Sequence, residues 1–66
     1  MSVLYELKVK IEEKIKADGL DAAQVRGEIG LRTGRLLALI SPSTADDPVV
    51  VAKFRQAAHD LLKIRL

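Results

Sequence analysis

Three glycines and three arginines interleave in one stretch, Val25-Arg26-Gly27-Glu28-Ile29-Gly30-Leu31-Arg32-Thr33-Gly34-Arg35-Leu36-Leu37-Ala38-Leu39-Ile40. These are the residues whose types and spacing could do chemistry. Arginine bridges phosphates and reads guanine bidentately, and glycine-containing backbone nests offer amide donors to an anion. A glycine inside a helix costs roughly 1 kcal/mol relative to alanine, so three of them call for an offsetting gain. Three arrangements supply one: a turn between two helices, a close backbone contact along one continuous helix, or a nest of amides around a phosphorylated ligand.

The rest of the chain offers a catalyst little. His59 is the one histidine and there is no cysteine, so a zinc site lacks its usual ligands. His59 falls on the polar face of its segment, and its neighbour Asp60 diverges around a helix axis. Glu12-Glu13 and Asp46-Asp47 are consecutive carboxylates. The first reads as helix surface and the second as capping, and neither has the apolar pocket that raises a carboxyl pKa for acid–base work. A substrate pocket of ordinary size would consume most of so small a core. The expectation is a protein that is not an enzyme, with no catalytic residue, no metal site, no cofactor and no small-molecule substrate.

The elements that must position the glycine–arginine stretch read as helices. Residues 1–66 are expected to form a single small helical domain, all-α, with three to four helices in an orthogonal or bundle-like arrangement. Ser2 is a natural N-cap and Gly19 a natural stop for a first helix. Across it, Val3, Leu4, Leu7, Ile11 and Ile15 fall within an arc of ~120°. Tyr5, Leu7, Val9 and Ile11 also alternate with charged residues at strand period, which would need a second protomer for pairing. The helix formers of residues 12–17 favour helix. Asp21-Ala22-Ala23-Gln24 has the form of a capping box opening a second helix. Ser41-Pro42-Ser43-Thr44-Ala45-Asp46-Asp47 is dense in turn formers, and Asp47-Pro48 opens a last helix to about Ile64. Asp46 and Asp47 both suit the positive end of that helix. The wide apolar stripe of the last helix predicts two packing neighbours. The expected core is Leu4, Leu7, Ile11, Ile15, Val25, Ile29, Leu36, Leu37, Ile40, Phe54, Leu61 and Leu62.

Whether residues 22–40 form one helix or two decides how the glycines are used. If Gly30 opens a turn, a helix over 22–29 is followed by a short one over 33–40 capped by Thr33. The stretch then resembles a helix-turn-helix motif at Val25, Ile29, Gly30 and Leu31, which match its buried, buried, glycine and buried positions. It departs where Arg26 replaces a small residue and Arg35 an apolar one. That resemblance implies a small DNA-binding regulator, with Arg26, Arg32, Thr33 and Arg35 as the nucleic-acid or anion-binding candidates. If the helix continues instead, Gly27, Gly30 and Gly34 become close-packing glycines, a notch for another helix or for a symmetry mate.

Bulk composition favours a different partner. The chain has 66 residues, 48% of them hydrophobic, yet only Tyr5 and Phe54 are aromatic. A chain this short buries only about 60% of its unfolded surface, and self-association supplies extra core. Tyr5, Val9, Val49 and Leu39 are the interface candidates. The net charge of +2 is spread along the chain, whereas nucleic-acid binders concentrate theirs. No apolar run approaches the ~18 residues of a membrane span. Met1-Ser2-Val3-Leu4-Tyr5 reaches Glu6 before any leader-like apolar stretch develops, and the absence of cysteine fits a reducing compartment, so a cytoplasmic location is expected. The leading functional expectation is a non-enzymatic interaction module, a homodimer or other homo-oligomer presenting a helix face to a protein partner. The alternative is the helix-turn-helix DNA-binding regulator.

Overall fold

The structure, a computed structural model, describes residues 2–64. Its elements are α1 (Val3–Ala17), α2 (Ala22–Thr33), a single 3-10 turn (Leu37–Leu39) and α3 (Pro48–Leu62). No strand occurs among the described residues, so the alternation at Tyr5, Leu7, Val9 and Ile11 lies on a helix.

Local capping explains where the helices begin. The Tyr5 N–H donates to Ser2 Oγ at 3.2 Å, and the Gln24 N–H donates to Asp21 Oδ1 at 3.2 Å. The Val49 N–H donates to Asp47 Oδ1 at 2.9 Å, with Pro48 at the first helical position. Each side chain satisfies an amide that the helix itself leaves without a partner.

Asp46 does not serve α3 as the sequence suggests. Its carboxylate reaches back to the start of α1 and accepts from the Val3 N–H at 2.9 Å, the Leu4 N–H at 3.0 Å and Ser2 Oγ at 3.1 Å. An anion on free amides at a helix N-terminus is a favoured arrangement. The same carboxyl is held below the ordinary aspartate range, first by the Val3 amide and then by the Leu4 amide. A second link runs nearby, where Lys8 Nζ donates to the Ile40 carbonyl at 2.9 Å. The connector between α2 and α3 is therefore fastened to α1 at two points.

The core lies where α3 packs against both α1 and α2, as its wide apolar stripe requires. Leu4, Leu7, Ile11 and Ile15 line it from α1, Ile29 from α2, Leu37 and Ile40 from the 3-10 turn and its exit, and Phe54, Ala57, Ala58 and Leu62 from α3. Val25 and Leu61 are half-buried against it. Leu36 departs from the expected core. It sits in extended backbone just before the 3-10 turn and is 62% exposed, while Leu37 takes the inward position.

The helix-turn-helix corner does not form. α2 runs through Gly30 and ends where Gly34 adopts the left-handed conformation (φ 71°), its N–H donating to the Gly30 carbonyl at 2.8 Å. Gly34 is thus a helix stop. Thr33 caps nothing ahead of it. It is buried, donating from Oγ1 to the Ile29 carbonyl at 2.7 Å and accepting from the Arg35 N–H at 3.3 Å. Between Gly34 and Pro42 there is room for one 3-10 turn in place of a second helix.

Two outcomes follow for stability. Phe54 is fully buried, and Phe54→Ala is expected to lower unfolding free energy by about 3–5 kcal/mol in urea denaturation. Asp46→Asn is expected to lower the midpoint at neutral pH. Because the folded carboxyl titrates below the unfolded one, its contribution is present above the unfolded pKa of about 4 and fades as pH falls towards the folded value. The gap between wild type and Asp46→Asn should therefore close on acidification, and a gap constant with pH contradicts the assigned role.

Candidate interaction surface

The four arginine-stretch candidates occupy separate environments. Arg26 forms a fork-to-fork pair with Glu12, Nε to Oε1 at 2.9 Å and Nη2 to Oε2 at 2.5 Å, joining α2 to α1. The Arg26 hydrogen bonds lower the Glu12 carboxyl below its usual range. Arg32 lies 3.9 Å from Glu28 on its own helix and 3.9 Å from Asp60 on α3. Thr33 is buried. Arg35 is exposed and has no ion-pair partner among the described residues. Of these three arginines, Arg26 and Arg32 sit beside carboxylates, and Arg35 has none within ion-pair distance among the described residues.

The three glycines do not line a notch within the protomer. A Cβ at Gly27 or Gly34 would meet nothing within 4 Å. A Cβ at Gly30 would meet the Arg35 carbonyl at 3.7 Å and Leu36 Cδ2 at 3.9 Å. The neighbour of Gly30 is therefore the chain emerging from its own helix, and Gly34 lies beyond the helix altogether.

His59 is exposed on α3, its Nδ1 3.4 Å from Asp60 Oδ1. Asp60 is lowered chiefly by the Gln56 amide and then by His59. Among the described residues no three His, Cys, Asp or Glu side chains gather to hold a metal. No buried side-chain nitrogen or oxygen lacks a hydrogen-bond partner among the described residues.

What the surface does present is aliphatic. Leu31 is 84% exposed, Leu39 75%, and Leu36 and Val49 62% each. Val9 is at the margin of exposure, and Tyr5 is half-buried against the core. Leu39 and Val49 lie at the surface as the composition suggests. Leu36, expected in the core, and Leu31, at a buried position of the motif the stretch resembles, are both exposed. Leu31 had a legible signal: it lies about 200° around the helix from Ile29, away from the core stripe. Leu36 had none, because its direction is set by the irregular backbone between α2 and the 3-10 turn.

Leu36 covers Gly30, which is one turn beyond Arg26. Arg26 grips Glu12, which is one turn beyond Lys8, and Lys8 holds the Ile40 carbonyl beside Leu39. Lys8, Glu12 and Arg26 therefore form polar links from α1 to the connector and to α2. Elsewhere on α1, Tyr5, Glu6, Val9, Lys10 and Glu13 line a shallow hollow of about 420 Å³.

No described helix is long and apolar enough to cross a membrane. Comparison of the chain with protein-family models, curated proteins and solved structures found no match.

The glycine geometry separates two substitutions of the same kind. Gly27→Ala adds a methyl group in open space inside α2 and is expected to raise stability by about 1 kcal/mol. Gly34→Ala must hold alanine at φ 71° and is expected to lower stability by about 1–2 kcal/mol. Thermal or urea unfolding of the two variants checks both signs.

Proposed function

We propose that this protein is a non-enzymatic helical interaction module that self-associates and presents its surface to a protein partner. The observation that carries the proposal is the exposure of Leu31, Leu36 and Leu39 within nine residues of chain. Single exposed apolar residues are normal on a protein surface, and three large ones exposed on so short a segment support a reading as a contact site. Here they stand on a scaffold with capped helices and with described buried side-chain polar groups all partnered, so they are not a by-product of a poorly closed core.

The DNA-binding alternative has less support. Its second helix is replaced by a three-residue turn, Thr33 is buried, and Arg26 is engaged by Glu12.

Sedimentation equilibrium tests the proposal. The wild-type chain is expected to associate as its concentration rises, and Leu36→Ser/Leu39→Ser to shift it towards monomer with unchanged helicity. A wild-type chain that stays monomeric to near-millimolar concentration overturns self-association. In about 50 mM salt an arbitrary DNA duplex is expected to show no binding, whereas salt-sensitive binding weakened by Arg35→Ala supports the regulator instead.

A further inference from the structure

We draw no further inference here: the strongest candidate, the exposed outer face of α2 at Ala23, Gly27 and Leu31 with Leu36 beside it at Gly30, is an unpartnered apolar face, and nothing in the structure shows what covers it.

Discussion

The fold depends on how the chain returns from α2 to α3. Residues 34–47 must cross from the end of one helix to the start of another so that α3 can pack against both of its predecessors, and they contain only one 3-10 turn of regular structure. A connector of that length without fixed contacts would leave the position of α3 poorly specified. The Asp46 carboxylate resolves this by satisfying two free amides at the start of α1 while Asp47, its immediate neighbour, caps α3. Two consecutive side chains thus tie the beginnings of two helices together. Lys8 fastens the connector a second time at Ile40.

That route determines which leucines the molecule hides. The 3-10 turn is short and lies against the core through one side only, so Leu37 and Ile40 enter while Leu36 and Leu39 stay outside. The aliphatic surface is the outer half of a turn whose inner half closes the core. The segment that closes the core is therefore also the one that exposes leucines to solvent. The glycines take part in the same geometry: Gly34 stops α2 in a left-handed conformation, and Gly30 leaves the helix surface low where Leu36 covers it.

Much of the fold was legible because it is local. Ser2, Asp21 and Asp47-Pro48 announce helix starts, since each cap acts on an amide two or three residues away. The α1 stripe and the wide α3 stripe named most of the core, since helical period alone decides which residues share a face. The candidate surface was only partly legible. Leu39 and Val49 were marked as surplus apolar residues, and Leu31 could have been read from its angle on α2. Leu36 could not, because a residue in irregular backbone has no period to read. The arginines resembled a binding set by residue type, yet Arg26 is paired with a glutamate fourteen residues earlier and Arg32 lies beside an aspartate on α3.

The amino-acid order determined the helical class, the three main helices and their inward faces, because propensity, capping and periodicity act over a few residues. Tertiary structure decided the rest: that Asp46 serves α1, that Gly34 and not Gly30 ends α2, and that Leu36 faces water. Each of these depends on which distant groups meet once the chain closes on itself, and an amide, a carboxylate or an aliphatic surface can be satisfied by more than one partner until packing selects it.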